Sequence, residues 1–407
     1  MQVFRPAMSS ALFWGASLLA LAACSDPPRP PAQSVAQAQA AAPVAAPPPS
    51  VAVADAPSPI TPVTDPGPLA APPPALPEGD AAPAAQAINQ SSLPGAGAPA
   101  AAKRAALVRA EVLLARARFS PGAIDGQDGG NLKNAVAAFE TAKGLPADGR
   151  LTPEVWTALT TADAAPAVVA YVIAPEDVKG PFLASIPTKY EDMAKLDHLG
   201  FLSPLEGLAE KFHMDQALLK SLNPDADFGQ AGTRILVAAA GPETLPAPVA
   251  AIEVDKNQRQ VRAFAADGSL IATYPATVGS TERPAPTGTF TVNGVARNPT
   301  YTYDPSRLTF GDKSMGKLTI KPGPHNPVGA VWIDLSIPTY GIHGAPDPRL
   351  VGKTASHGCV RLTNWDIRQL ASGVKKGAKV TFVGVERPPG QKAKLNSASA
   401  GSSAQPG

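Results

Sequence analysis

The hydrophobic pattern of this 407-residue chain changes period along its length, and each change marks a different kind of structure. Val108, Val112, Ala115 and Phe119 recur at helical spacing, as do Leu132, Ala135, Val136 and Phe139. Thr152, a good N-cap, precedes Pro153 at a first helical position, ahead of Val155, Trp156 and Leu159. Residues 102–163 are therefore expected to form a small three-helix module, punctuated by turns at Asp125-Gly126 and Asp148-Gly149. Over 164–243 the pattern is mixed. Tyr171-Val172-Ile173 and Arg234-Ile235-Leu236-Val237 read as strands. Between them, Leu205, Leu208, Ala209 and Phe212 make one helical face, and Leu218, Leu219 and Leu222 another, stopped by Asn223-Pro224. The expectation is an α+β strand–helix–helix–strand unit with a long insert after its first strand.

From Ala251 the period drops to two. Ile252 with Val254, Val261 with Ala263, and Ile271 with Thr273 alternate with polar neighbours, and Asp267-Gly268 is a hairpin turn. Strand patterns continue at 288–292, 317–320, 331–335 and 379–383, while a single helix is expected at 365–373, capped by Asn364. Residues 249–385 thus read as an all-β sandwich or barrel with one helix packed beside it. The Ser/Ala/Gly/Pro-rich tail, 386–407, reads as disordered.

Composition changes this picture chiefly at the N-terminus. Of 47 prolines, 20 fall between Ser25 and Ala101, a stretch with no aromatic residue, so 24–101 reads as a linker unable to bury a core. Before it, Arg5 precedes a short apolar run, 11–20, well below the about 20 residues that span a bilayer. This reads as an export signal, 1–23. Its end, Leu21-Ala22-Ala23-Cys24, resembles the bacterial lipobox, which implies that Cys24 is lipidated and anchors the protein to a membrane. By that family's sorting rule, Ser25 points to the outer membrane of a Gram-negative cell. The net charge of +2, with no phosphate-binding loop, no CxxC pair and no basic block, argues against nucleic acid as a partner.

Export alters the meaning of the other cysteine. Oxidising compartments pair thiols, and with Cys24 acylated Cys359 has no partner in the chain. Cys359 lies in Ser356-His357-Gly358-Cys359-Val360-Arg361, downstream of Ile342-His343-Gly344. An imidazole can take a thiol's proton, giving a thiolate–imidazolium pair able to attack an acyl carbon. Both His357 and His343 are candidates for that base; His343 would reach the thiol if its strand neighboured that of Cys359. Gly344 and Gly358 permit close backbone approach, and the N–H groups of 357–359 could face an oxyanion. A zinc site would need further ligands, and no CxxC or HxxxH spacing supplies them. A buried, inert cysteine is the remaining alternative.

Several pieces together resemble the L,D-transpeptidase (YkuD) catalytic domain. They are Thr287-Gly288-Thr289-Phe290, Pro322-Gly323-Pro324-His325-Asn326-Pro327-Val328-Gly329, Tyr340-Gly341-Ile342-His343-Gly344, and the run from Ser356 through Asp366. The 102–163 segment is similar to a three-helix peptidoglycan-binding domain, apart from Gly129-Gly130-Asn131, and 164–243 is similar to a LysM glycan-binding fold. The resemblance implies a multidomain chain whose C-terminal part is an L,D-transpeptidase-type sandwich or barrel. It makes Cys359 the nucleophile and His343 its base, with the Gly344 carbonyl in the place of a triad acid. His357, Gly358 and Cys359 would frame the oxyanion site, and Ser356 would support the loop. Arg361 would orient the loop or a substrate carboxylate, and Tyr340 would line the groove. The implied partners are peptidoglycan stem peptides and glycan in the periplasm, without cofactor or metal. Hydrolysis by the same acyl-enzyme, attachment of wall-linked proteins, and a non-catalytic wall-binding lipoprotein are the alternatives.

Overall fold

The computed structural model describes residues 82–281, 284–307, 314, 316–356 and 358–386. The expected export signal, Cys24, most of the linker, His357 and nearly all of the tail lie outside these residues.

Helix α1 (Pro83–Asn89) falls within the stretch read as linker. Its Ala85 and Ile88 are buried against the strand–helix–helix–strand unit, and Asn89 exchanges hydrogen bonds with the backbone of Val168 at 2.8 and 2.9 Å. Pro/Ala composition hid it, because small apolar side chains, Ile88 and one amide hold it in place.

The three-helix module consists of α2 (Ala100–Arg116), α3 (Gly130–Lys143) and α4 (Pro153–Ala162). Thr152 caps α4 as its sequence suggests, accepting from the Val155 N–H at 3.3 Å. Both Asp-Gly turns are tied to a buried glutamate on the preceding helix: Glu111 accepts from the Gly126 N–H at 2.9 Å, and Glu140 from that of Gly149 at 2.8 Å. Burial raises the pKa of both carboxyls, Glu111 most strongly. The next unit pairs β1 (Val168–Val172) antiparallel with β2 (Arg234–Ala238). Between them lie α5 (Tyr190–Met193), α6 (Pro204–Lys211) and α7 (Gln216–Leu222).

The C-terminal region is built from β3 (Val249–Asp255), β4 (Gln260–Phe264), β5 (Leu270–Pro275), β6 (Gly288–Arg297), β7 (Tyr301–Tyr303), β8 (Leu318–Ile320), β9 (Val331–Leu335), β10 (Gly341–Gly344), β11 (Val360–Leu362), α8 (Asn364–Gly373) and β12 (Val374–Val383). Eight of these strands form one sheet in the order β11-β10-β9-β6-β12-β3-β4-β5, and β7 and β8 pair separately. Thr277, just past β5, exchanges both backbone hydrogen bonds with Arg361 of β11, each at 2.9 Å. The two edges of the sheet therefore meet at one point, giving a nearly closed, barrel-like sheet with α8 beside it. The alternation seen in sequence fills the interior with Ile252, Val254, Val261, Ile333, Ile342 and Val380, all buried.

Two details differ from the sequence reading. Strands β6 and β12 run on past the expected segments through register shifts, which break a strict two-residue period. The cap of α8 is Thr363, whose Oγ1 accepts from the Asp366 N–H at 3.1 Å; Asn364 is the first helical residue and is buried.

The modules are joined through named groups. Asn131 and Asn134 of the three-helix module donate to the carbonyls of Val351 and Gln258, each at 2.9 Å. The Ser120 N–H donates to the Thr273 carbonyl at 2.9 Å and the Thr273 N–H to the Arg118 carbonyl at 2.8 Å, so this segment covers the open edge of β5. From the second unit, Glu210 accepts from Asn364 Nδ2 at 3.0 Å and from Arg368 at 3.2 Å. Arg368 also reaches both oxygens of Glu243, at 2.7 and 3.2 Å, and His213 stacks on Trp365 at 5.1 Å between ring centroids.

Candidate active site

Strand pairing determines which candidate residues share a face. β10 runs parallel to β11 with Ile342 opposite Val360 and His343 opposite Arg361, while on its other side β10 places His343 opposite Trp332 of β9. Trp332, His343 and Arg361 thus form a row across three strands. Cys359 precedes β11 by one residue, so by the two-residue period it points to the same face as Arg361, offset from His343 by one step along the strand.

His343 is 3% exposed and its ring stacks on Trp332 at 5.4 Å between centroids. Its Nδ1 lies 2.7 Å from the Gly344 carbonyl, which assigns the proton to Nδ1 and leaves Nε2 as the acceptor. Burial, helped by the charge of Arg361, lowers the ring's pKa to about 3 against the pull of the Gly344 and Val328 carbonyls. Gly344 cannot carry a side chain, because a Cβ there would overlap Asn364 Oδ1. That oxygen accepts from the Ala330 N–H at 2.9 Å, so Asn364 secures β10 and the start of β9 from below.

Cys359 is the free cysteine among the described residues. Burial raises its pKa, while the Gly341 N–H and the charge of Arg361 partly offset this. The sulfur lies 3.8 Å from the Thr339 carbonyl. Burial of both groups works against the thiolate–imidazolium pair that the residue types allow.

The loop before the thiol is tied down locally. Ser356 Oγ donates to the Cys359 carbonyl at 2.6 Å and accepts from the Gly358 N–H at 3.2 Å. That second bond ties the Gly358 N–H to the same hydroxyl. Gly358 has a φ of 120°, and a Cβ there would lie 2.9 Å from Tyr340 Cε1, so the tyrosine ring lies against this turn. Arg361 Nε is buried without a hydrogen-bond partner among the described residues. Among those residues no group of three or more His, Cys, Asp or Glu could hold a metal ion.

The sequence motifs brought His343, Gly344, Ser356, Gly358, Cys359, Arg361 and Tyr340 to one region. They gave no hint of Trp332 or of Asn364 as a support for Gly344, because both act through neighbours distant in sequence.

The chain matches the model of the L,D-transpeptidase catalytic domain over residues 250–382 and that of a "Putative peptidoglycan binding domain" over 103–159. It is 32% identical over 181 residues to the "Putative L,D-transpeptidase YkuD" of Bacillus licheniformis, covering 44% of this chain and 92% of that protein. Its Bacillus subtilis (strain 168) counterpart is 31% identical over 180 residues, covering the same shares. Among solved structures, L,D-transpeptidase 3 from Mycobacterium tuberculosis in complex with a faropenem-derived adduct aligns at 18% identity with a TM-score of 0.27, over 37% of this chain and 66% of that one. This chain belongs to the L,D-transpeptidase (YkuD) family and carries a peptidoglycan-binding domain ahead of its catalytic domain.

Proposed function

We propose that this protein is a periplasmic, lipid-anchored enzyme that remodels peptidoglycan through a thioester on Cys359. The sulfur attacks the carbonyl joining the L-centre of the third stem residue to the terminal D-alanine, and His343 Nε2 takes the thiol proton as the C–S bond forms. The C–N bond then breaks, the ring returns the proton to the leaving amine, and D-alanine departs. An amine of a neighbouring stem attacks the thioester, gives up a proton to His343, and forms a 3→3 cross-link as the thiol is restored.

The observation that carries this reading is the shared face of Cys359 and His343 on adjacent parallel segments, with Nδ1 held by the Gly344 carbonyl. A carbonyl does the orienting work of a triad acid without adding a negative charge, which suits a ring that stays neutral at rest. Arg361, in the same cross-strand row as His343, suits a substrate carboxylate. Ser356 holds the nucleophile loop, Gly358 makes room for Tyr340, and Tyr340 borders the groove. His357, Gly358 and Cys359 are assigned to frame the oxyanion site. The domain limits are taken from the sequence reading, except that α1 joins the second unit, with Cys24 as the lipidated residue and the 102–163 and 164–243 modules holding the wall.

Incubation of the protein with disaccharide-tetrapeptides, analysed by mass, tests the reaction. A cross-linked dimer with release of D-alanine supports it. Tripeptide alone would make water the acceptor, and unchanged substrate would make the protein non-catalytic. Cys359→Ala should abolish product and any covalent carbapenem adduct while the thermal transition stays in place; turnover in that variant would move the nucleophile elsewhere.

A further inference from the structure

Helix α6 turns one side to its own unit and another to the catalytic domain. Leu208, Ala209 and Phe212 enter the core of the strand–helix–helix–strand unit. Glu206, Glu210 and His213 follow one another at spacings of four and three, which line up along the helix and into the turn that ends it. All three meet the catalytic domain. Glu206 lies 3.1 Å from His325 Nε2, and His213 stacks on Trp365. Glu210, 9% exposed, is held between Asn364 Nδ2 at 3.0 Å and Arg368 Nη1 at 3.2 Å. Burying a carboxylate is costly unless it is paired, and both of these partners belong to α8 rather than to the unit that carries Glu210.

Asn364 passes this contact on to the base. A carboxylate can only accept, and so can the Pro324 carbonyl, 3.3 Å from the same Nδ2. The two acceptors fix the NH2 end of the amide on their side, so Oδ1 faces the opposite way. There it accepts from the Ala330 N–H at 2.9 Å and lies against the backbone of Gly329 and Gly344, where an added Cβ would come within 2.4 and 2.3 Å of it. Gly344 in turn holds His343 Nδ1 on its carbonyl at 2.7 Å. An unbroken line of contacts, Glu210–Asn364–Gly344–His343, thus runs from α6 to the imidazole.

We propose that Glu210, a residue of the second unit, is a positioning residue for His343. It fixes the orientation of the Asn364 amide and, through it, the Gly344 carbonyl that aims the ring. This rests on the roles given above to His343 and Cys359. The second unit is then a structural part of the active site, whatever it binds on its other faces. Glu243, whose partners are Arg368 and His213, provides the comparison at the same interface.

Two measurements on the full chain test this. One is steady-state kinetics with a disaccharide-tetrapeptide donor. The other is hydrogen exchange of the His343 Nδ1 proton, followed by NMR of protein carrying isotope-labelled histidine and assigned by its loss in His343→Gln. Glu210→Ala should lower kcat about tenfold with KM changed less than about threefold, and should speed the exchange about tenfold. Glu243→Ala loosens the same interface and should leave kcat and exchange within about twofold of the parent. Glu210→Gln, which keeps the volume but can offer Asn364 either end of its amide, should fall between the parent and Glu210→Ala; it carries the test if Glu210→Ala does not fold. If the parent turns over no tetrapeptide, the proposed reaction fails while the exchange rate still judges Glu210. An exchange rate unchanged in every folded Glu210 variant, an equal change in Glu243→Ala, or an effect on KM alone overturns the proposal.

Discussion

The protonation state of the Cys359–His343 pair can be tested by following thiol reactivity with pH. Burial pushes the thiol above its ordinary value, and burial with Arg361 takes the ring down to about 3. Moving the proton from sulfur to imidazole in the free enzyme is therefore opposed from both sides, and the fall of the ring from 6.5 to about 3 alone costs about 5 kcal/mol. Opposite unit charges about 4 Å apart regain only about 4 kcal/mol at the effective dielectric of a partly screened site. The neutral pair wins, and the thiolate forms only as an electrophile arrives. The assay is the second-order rate of iodoacetamide alkylation, mapped to the Cys359 peptide by mass, from pH 6 to 10. Because the thiolate is the reactive form and its pKa is raised, the rate should climb about tenfold per pH unit from 6 to 8 without levelling below about pH 8.5. A rate already flat between pH 6 and 8 would mean a resting ion pair and refute this account of the site.

Asn364→Ala leaves the Ala330 N–H without its side-chain acceptor and removes one of the partners of Glu210, at buried positions. The expected loss is about 3 kcal/mol in urea unfolding, and a loss below about 1 kcal/mol would show that water or a shifted backbone replaces the amide. Cys24→Ala should move the protein from the membrane to the soluble fraction without changing kcat; unaltered fractionation would remove the lipid anchor.

Local features made much of this protein legible. The Thr152-Pro153 start of α4, the Asp267-Gly268 turn and the alternation of Ile252 with Val254 each act within a few residues, and the structure follows them. The motifs holding His343 and Cys359 were readable for the same reason, since each places its own turn and strand. Features that depend on pairs far apart left no periodic trace. Glu210 meets Asn364 across 154 positions, and Tyr190 meets Tyr303 across more than a hundred. The insert around Tyr190 was visible only as a departure from the strand–helix–helix–strand pattern, because its partners, Pro322 and Tyr303 among them, lie far away in sequence. The lowered pKa of His343 was equally hidden, because it comes from burial among Trp332 and the surrounding strands.

The two-way bond of residues 118–120 with Thr273 bears on how such a protein would patrol a polymer mesh. A module on a loose string samples every direction, and linker length decides how often its target meets the catalyst. Here the three-helix module grips the sheet's margin at several points, so it works like the fence of a saw bench. Any strand gripped there would present its stems to the sulfur at one offset and one angle, and spacing along the mesh would select which stems are joined.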